Sequence, residues 1–366
     1  MRITGAVLEE SGHPSPYRDS RPLTVSELEL AAPGSTELLV RIEAAGLCHS
    51  DLSVVNGDRP RPVPMLLGHE AAGIVEATGS AVTDVAIGER VVLTFLPRCG
   101  ECAACRTEGR LPCEPGSAAN GAGELLGGGT RLARDGHPVA HHLGASAFAT
   151  HAVVDRRSIV PVAQDVPPEV AALLGCAVLT GGGAVRNAAA VAPGEPVMVV
   201  GLGGVGLAAV LVAVALGHPV VAVDALPAKL EAAVALGADE AYLPDDLRAA
   251  GVRAPVVIEA AGSARAFETA FAATAPGGRT VTVGLPNPAA RAAIPPLVLT
   301  AEARTVVGSY LGSSVPARDV PVYADLWRSG RLPVERLVSD RIGLDDLNGA
   351  LDVLAQGGAL RQLIAF

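Results

Sequence analysis

Four of the chain's six cysteines lie in one short segment, RCGECAACRTEGRLPC at residues 98–113. The spacing C-x2-C-x2-C-x7-C lets four thiolates turn inward around one tetrahedral metal ion. In a reducing cytoplasm, clustered cysteines are metal ligands more often than disulfide partners. Because four thiolates leave no position for water or substrate, the spacing favours a structural zinc held by Cys99, Cys102, Cys105 and Cys113. A redox loop or a set of unpaired surface thiols is the alternative.

The other two cysteines, Cys48 and Cys176, lie in GLCHSD and LLGCAVLTG, on either side of this segment. His69 follows Cys48 by 21 residues and precedes Cys176 by 107. Two cysteines and one histidine from separate segments form the ligand set of a catalytic zinc whose fourth position stays open. A single buried cysteine is usually an ordinary core residue, so spacing alone leaves both interpretations open.

The segment VMVVGLGGVGLAAVLVAVALGHPVVAVD predicts a dinucleotide-binding unit. The β-branched run at residues 197–200 indicates a buried parallel strand. Gly201, Gly203 and Gly206 then form G-x-G-x-x-G, which permits a tight turn and close approach of a pyrophosphate to the backbone. An apolar helix and a second strand follow, and that strand ends at Asp224. An acid there accepts hydrogen bonds from a ribose diol and disfavours a 2′-phosphate, so NAD is preferred over NADP.

The whole-chain composition limits the possible partners and compartments. A chain of 366 residues predicts two domains. A formal charge of -10 without a basic run argues against nucleic acid as a partner. The N-terminus has no secretory signal pattern, which predicts a cytoplasmic protein. The uncharged stretch 196–223 is long enough to span a bilayer, but its glycine motif and His218-Pro219 favour a strand, a turn and a buried helix.

Together, these motifs resemble the zinc-dependent medium-chain alcohol dehydrogenases. The family's order and spacing are matched by GLCHSDLSVVNGD, MLLGHEAAGIVEATGSAVTDVAIGERV, the four-cysteine loop, GCAVLTG, GLGGVG, VVAVD, APGGRTVTVG and GGALRQLIAF. The resemblance implies an α/β protein with a chaperonin-10-like (GroES-like), β-rich catalytic domain of residues 1–177 and 311–366. Residues 178–310 would form a doubly wound Rossmann domain that binds NAD, with the active site in the cleft between the domains.

The resemblance also assigns roles to individual residues through the matching motifs. The metal and catalytic positions are Cys48, His69 and Cys176 as zinc ligands, Glu70 beside the metal, Asp51 as the partner of the zinc-bound histidine, and Ser50 as the hydroxyl that binds the substrate oxygen. The cofactor positions are His49, Thr180, Gly201, Gly203, Gly204, Val205, Gly206, Asp224, Lys229 and Arg361. The substrate-pocket positions are Phe95, His142, Leu143, Leu285, Tyr310 and Leu311.

The implied activity is interconversion of a primary alcohol, medium-chain or aromatic, and its aldehyde by hydride transfer to NAD, with two zinc ions per chain. The 62 residues between Cys113 and Cys176 resemble the longer loop of the glutathione-dependent formaldehyde enzymes. A thiol-adduct (S-hydroxymethyl thiol) substrate is therefore an alternative, with Arg131 and Arg134 as candidate contacts for an anionic carrier. A zinc- and NAD-binding protein without turnover is a further alternative.

The resemblance implies an oligomer as well. Family dimers join their cofactor domains edge to edge through the strand near VVGSYLG, and the apolar character of this segment favours such a contact. The sequence therefore predicts a homodimer, with a homotetramer as the alternative.

Overall fold

The computed structural model describes residues 1–366, and the chain divides into two compact units. The first unit comprises residues 1–176, 316–324 and 338–366, and the second comprises residues 177–315 and 325–337. The sequence assigned everything from residue 311 onward to the catalytic domain, whereas residues 311–315 and 325–337 group with the second unit. The latter segment does so because its turn Val334–Leu337 packs against the helix Gly204–Ala215, and both Val334 and Leu337 are fully buried.

Eighteen strands form three sheets. They are β1 (Arg2–Leu8), β2 (Leu23–Leu30), β3 (Glu37–Leu47), β4 (Met65–Leu66), β5 (Glu70–Thr78), β6 (Arg90–Leu93), β7 (Leu132–Arg134), β8 (His137–His141), β9 (His151–Asp155), β10 (Ile159–Val162), β11 (Val197–Val200), β12 (Val220–Val223), β13 (Glu240–Tyr242), β14 (Ala254–Glu259), β15 (Thr274–Thr282), β16 (Thr305–Gly308), β17 (Val338–Ile342) and β18 (Arg361–Ala365).

Twelve α-helices accompany the strands. They are α1 (Tyr17–Ser20), α2 (His49–Val55), α3 (Glu114–Ala122), α4 (Pro168–Leu173), α5 (Leu179–Gly183), α6 (Gly204–Ala215), α7 (Pro227–Ala235), α8 (Pro244–Ala250), α9 (Ala264–Ala273), α10 (Pro296–Ala301), α11 (Pro316–Arg328) and α12 (Leu347–Ala355). Short 3-10 turns lie at Cys105–Thr107, Arg156–Ser158, Tyr310–Ser313, Val334–Leu337 and Leu344–Asp346.

The first unit is built from a closed barrel and a seven-stranded sheet. The barrel order is β1-β2-β7-β8-β4, and the sheet order is β10-β6-β5-β3-β18-β17, with β9 paired to β3. Strands β3 and β5 are antiparallel, and their register places Gly46 opposite Glu70. A side chain at Gly46 would collide with Glu70, since an added Cβ would lie 2.7 Å from its Oε1. Gly46 therefore makes room for a buried carboxylate where β3 ends and β5 begins.

The second unit contains a six-stranded sheet in the order β13-β12-β11-β14-β15-β16. Every neighbouring pair in it is parallel. This order is that of a doubly wound dinucleotide-binding fold, in which ligands bind at the carboxyl ends of the strands. The strand, apolar helix and second strand predicted at residues 197–223 are β11, α6 and β12. The predicted fold class is confirmed in both units.

A continuous helical stretch, Pro168–Ala188, connects the two units along the chain. It combines α4 and α5 with two π-helical segments, Leu174–Val178 and Ala184–Ala188. This 21-residue stretch is long and apolar enough to cross a membrane, but 89% of its most apolar part is buried inside the protein. Because a buried core helix can be equally long and apolar, this stretch is weak evidence for a membrane span.

Candidate metal and cofactor sites

Two strand ends and one helical stretch bring four potential metal ligands together in the first unit. Cys48 follows β3, His69 and Glu70 stand at the start of β5, and Cys176 lies in the first π-helical segment. All four side chains are buried, and one donor atom from each lies within 4.8 Å of the others. The Nε2 atom of His69 is 3.5 Å from the Sγ atom of Cys176. π-helical turns often occur at functional sites because they displace a side chain from the regular helical pattern.

Asp51 fixes the orientation of His69. Its Oδ1 lies 3.0 Å from Nδ1 of His69, and its Oδ2 accepts the backbone N–H of Cys48 at 3.0 Å. One buried carboxylate thus holds two of the potential ligands and leaves Nε2 of His69 free to face the thiols. Burial alone would raise the pKa of Asp51, but His69 and His142 lower it to about 2. Asp51 is therefore an anion throughout the neutral range.

Glu70 is a buried carboxylate without hydrogen bonds. Neither of its oxygens has a hydrogen-bond partner, and Nη2 of Arg361 lies 3.5 Å from Oε2. Burial raises the pKa of Glu70 to about 7, although Arg361 opposes the shift. A buried carboxylate with no hydrogen-bond donor on its oxygens, beside two thiols and an imidazole, completes a donor set that a cation can bind. The residues present therefore fit zinc.

Arg361 lies on the inner side of the same site. The resemblance assigned it to the cofactor pyrophosphate, whereas its guanidinium is buried against Glu70 and donates from Nη1 to the carbonyl of Leu47 at 3.2 Å. The pairing of β18 with β3 places it there, because Gln362 is in register with Leu47. No local sequence pattern indicates this contact, since 313 residues lie between Leu47 and Arg361.

The pocket residues expected in the first unit are all buried, and two of them, Phe95 and His142, contact the ring of His69. The ring of Phe95 meets the His69 ring edge-on with 5.8 Å between centroids, and Leu143 is buried. His142, which was expected to line the pocket with a polar tip, has its Nδ1 3.2 Å from Oδ1 of Asp51. His49 is exposed and Ser50 half-buried at the start of α2.

The four clustered cysteines form a second candidate metal site. The Sγ atoms of Cys99, Cys102, Cys105 and Cys113 all lie within 4.8 Å of one another. Backbone N–H groups donate to three of these sulfurs at 3.3–3.4 Å. The N–H groups of Glu114 and Cys105 lower the pKa of Cys102 to about 6. Donors aimed at sulfur favour thiolate, the form that binds metal, at Cys99 and Cys102, whereas burial raises the pKa of Cys105 and Cys113.

The glycine motif of the second unit forms a compact turn before α6. Gly201 has φ +93°, and a Cβ added there would lie 2.5 Å from the backbone nitrogen of Ala261. A Cβ at Gly206 would lie 1.8 Å from the carbonyl oxygen of Gly201. These two positions therefore require glycine, while a Cβ at Gly203 would meet nothing within 4 Å, which leaves open space beside the turn.

Asp224 connects the end of β12 to this turn. Its Oδ2 accepts the N–H of Leu202 at 2.7 Å, and its Oδ1 accepts the N–H of Leu226 at 2.9 Å. Asp224 thus adjoins the glycine turn, as the motif predicts for a ribose-binding acid. Helix α5 packs closely on α6, since a Cβ at Gly181 would lie 2.2 Å from the carbonyl oxygen of Val205.

The remaining predicted residues of the second unit differ in exposure. Gly204 is the first residue of α6. Thr180, Lys229 and Leu311 are buried, Tyr310 is half-buried, and Leu285 has 49% of its surface exposed.

Two family models match the chain. One, described as an alcohol dehydrogenase GroES-like domain, matches residues 34–164, and the other, described as a zinc-binding dehydrogenase, matches residues 204–327. A geraniol dehydrogenase from Castellaniella defragrans is 36% identical over 356 residues, which cover 94% of this chain and 95% of that protein. The chain belongs to the zinc-dependent medium-chain alcohol dehydrogenase family.

Solved structures of this family share the complete fold. An alcohol dehydrogenase zinc-binding domain protein from Burkholderia ambifaria is 32% identical, with 100% of this chain and 99% of that chain covered and a TM-score of 0.92. Benzyl alcohol dehydrogenase from Acinetobacter calcoaceticus is 30% identical, with the same coverage and a TM-score of 0.90. As a medium-chain alcohol dehydrogenase, the protein is a zinc- and NAD-dependent oxidoreductase of alcohols and aldehydes, which confirms the predicted enzyme class and cofactors.

Proposed function

We propose that Cys48, His69 and Cys176 hold the catalytic zinc, with Glu70 beside it. The observation that carries this proposal is the convergence of their donor atoms within 4.8 Å in a buried pocket. Zinc bound there would polarise the substrate oxygen as a Lewis acid, and NAD would accept the hydride. Asp51 orients His69, and the hydroxyl of Ser50, in the first turn of α2, hydrogen-bonds the substrate oxygen. The four-cysteine loop would hold a second, structural zinc.

We propose that the NAD site is formed by the glycine turn and Asp224, with Thr180, Val205 and Lys229 as further contacts. The turn exposes backbone at the N-terminus of α6, which favours a pyrophosphate. Asp224 can accept hydrogen bonds from a ribose diol in addition to its backbone contacts, and its charge repels a 2′-phosphate. His49, exposed at the start of α2, and Arg361, whose guanidinium lies beside Glu70, are the remaining proposed contacts of the cofactor.

We propose that the substrate is a medium-chain or aromatic primary alcohol, or its aldehyde. Phe95 and Leu143 are buried apolar side chains, and the Phe95 ring meets His69 directly. A relative named geraniol dehydrogenase and a solved benzyl alcohol dehydrogenase are consistent with such a substrate. Apolar walls beside one polar centre bind a hydrocarbon chain and fix its single oxygen.

The thiol-adduct alternative has less support. Arg131 makes a two-pronged ion pair with Glu37, with both bonds 2.8 Å long. Arg134 pairs in the same way with Glu9, at 2.6 and 2.7 Å. Because both guanidinium groups are already neutralised by carboxylates, they offer little charge to an anionic thiol carrier.

The substrate proposal predicts the outcome of an alcohol panel. Purified protein with NAD should oxidise benzyl alcohol, geraniol and 1-octanol with at least about tenfold higher kcat/KM than ethanol, because an apolar wall adds roughly 0.8 kcal/mol per buried CH₂. The measurement is NADH formation at 340 nm. The control replaces each alcohol with formaldehyde plus glutathione. Faster turnover in that control would favour the thiol-adduct substrate, and no turnover of any substrate would favour a non-catalytic zinc- and NAD-binding protein.

We propose that the protein is a cytoplasmic homodimer, with a homotetramer as the alternative. Strand β16 is an edge strand of the parallel sheet, and its apolar residue Val306 is 36% exposed. An unprotected apolar edge is an aggregation hazard unless another chain covers it.

A charge on this edge should disrupt the dimer. In sedimentation experiments at micromolar concentration, Val306→Lys is expected to shift the mass from dimer towards monomer, because it buries an unpaired charge in the interface. Val234→Lys is the matched control, since Val234 is 52% exposed on α7 and away from β16. A wild-type monomer, or dissociation by both substitutions alike, would contradict the proposal.

A further inference from the structure

His142 is a fully buried residue that touches the metal centre without being one of its proposed ligands. Its Nδ1 lies 3.2 Å from Oδ1 of Asp51, the same oxygen that Nδ1 of His69 approaches at 3.0 Å. The two imidazole rings stand nearly perpendicular, at 87°, with 5.4 Å between centroids. Asp51 therefore has a histidine on each of two sides.

The fold holds His142 in this position firmly. Its backbone N–H donates to Oγ of Ser146 at 2.8 Å, and that hydroxyl donates to the carbonyl of Leu66 at 2.9 Å. Leu66 is the last residue of β4 and is close in the chain to His69. The backbone of His142 is thus tied to the segment that carries the metal-binding histidine.

The side chain of His142 has no other acceptor for Nδ1. Oδ1 of Asp51, at 3.2 Å, is within ion-pair distance, and no other atom pairs with this nitrogen. A buried polar group without a partner is costly, so such a group needs an explanation. Asp51, which is also fully buried, is the group whose charge an imidazole N–H there can stabilise.

We propose that His142 is a positioning residue of the catalytic metal centre, acting through Asp51. An N–H at Nδ1 of His142 attracts Oδ1 of Asp51 and so limits the rotation of the carboxylate. The edge of its ring restricts the ring of His69 in turn. Partners outside the ligand set that orient a ligating histidine typically change metal affinity by about 10–100-fold when they are mutated.

Two substitutions separate the N–H from the volume of the ring. His142→Phe keeps the ring but removes the donor. His142→Asn shortens the side chain but keeps an amide N–H near the Nδ1 position. His141→Phe is the matched control, because His141 is the adjacent buried histidine, and its Nε2 accepts the N–H of Arg131 instead of facing Asp51.

The first measurement is the rate at which an excess of chelator removes zinc from the folded protein. His142→Phe should lose one of two zinc ions at least about tenfold faster than wild type, whereas His142→Asn and His141→Phe should match wild type within about twofold. The second measurement is the visible absorption of the cobalt-substituted protein, which should shift in His142→Phe alone. Unchanged zinc release and cobalt spectrum in His142→Phe, or equal effects in His142→Phe and His141→Phe, would overturn the proposal.

A folding defect in His142→Phe would not end the test. His142→Gln places its amide near Nε2, so it should release zinc faster than His142→Asn although both side chains are polar. Equal rates for these two variants would overturn the proposal. The inference rests on the proposed zinc ligands, and wild-type protein with one zinc per chain would contradict those ligands. Two zinc ions with a release rate insensitive to residue 142 would contradict only the role of His142.

Discussion

Cys176→Ser is expected to lower alcohol oxidation by at least about a thousandfold while the protein remains folded. The substitution changes one sulfur to oxygen at a buried position, so the packing of the helical stretch is preserved. It removes one of three proposed zinc ligands, and a metal that polarises a reacting oxygen supplies several kcal/mol of transition-state stabilisation. Each 1.36 kcal/mol is about a factor of ten in rate. The measurements are kcat/KM for benzyl alcohol, zinc content and circular dichroism.

Cys105→Ser provides the matched contrast, because it makes the same atomic change in the four-cysteine loop. It should also lower the zinc content by one ion per chain, but its main effect should be a lower melting temperature and lower solubility, since a structural zinc contributes to folding. Protein that is still folded should keep most of its kcat. If both variants lost activity in parallel with stability, the division into a catalytic and a structural zinc would be wrong.

Asp224→Gly is expected to weaken NAD binding by about 10–100-fold and to narrow the preference for NAD over NADP. The ribose diol loses its acceptor, and the 2′-phosphate loses a repulsive neighbour. The glycine turn also loses the bond from Leu202 to Oδ2, so part of the effect comes from a looser turn. Dissociation constants for NADH and NADPH, measured by fluorescence titration, give both the affinity and the ratio.

Two further variants separate charge from structure at this site. Asp224→Asn keeps a carbonyl acceptor but removes the charge, and should relax the preference with less loss of affinity. Asp239→Gly is the control, because the Asp239 carboxylate likewise accepts a backbone N–H, from Val220, but at the opposite end of β12. If the ratio of the dissociation constants for NADH and NADPH were unchanged in both Asp224 variants, Asp224 would not belong to the cofactor site.

The sequence predicted the local features well because short-range patterns determine them. Gly206 is required by its contact with Gly201 inside the turn and Gly201 by its φ of +93°, and β11, α6 and β12 follow a simple alternation of apolar runs and breaks. The four-cysteine loop was visible for the same reason. These features need no knowledge of the rest of the chain.

Long-range packing could not be predicted from patterns alone. Only the resemblance brought Cys48, His69 and Cys176 together, and the structure adds the contacts of Arg361 and His142. HH at residues 141–142 does not reveal which histidine faces Asp51, since this depends on where β8 ends. Residues 325–337 belong to the second unit because they pack against α6, and no local sequence pattern predicts this contact.

The two sets of metal ligands differ in the length of chain that each must close. The four cysteines span residues 99–113 and belong to one loop, whereas 107 residues separate His69 from Cys176. Loop-closure entropy grows as (3/2)RT ln n, so the longer closure is disfavoured by about 2 kcal/mol more than the shorter one. The four-cysteine loop would therefore bind its proposed ion more readily than the catalytic set while most of the chain is unfolded. The proposed catalytic ligands meet only when β3, β5 and the helical stretch are assembled, so we expect an intact catalytic centre to form late in folding.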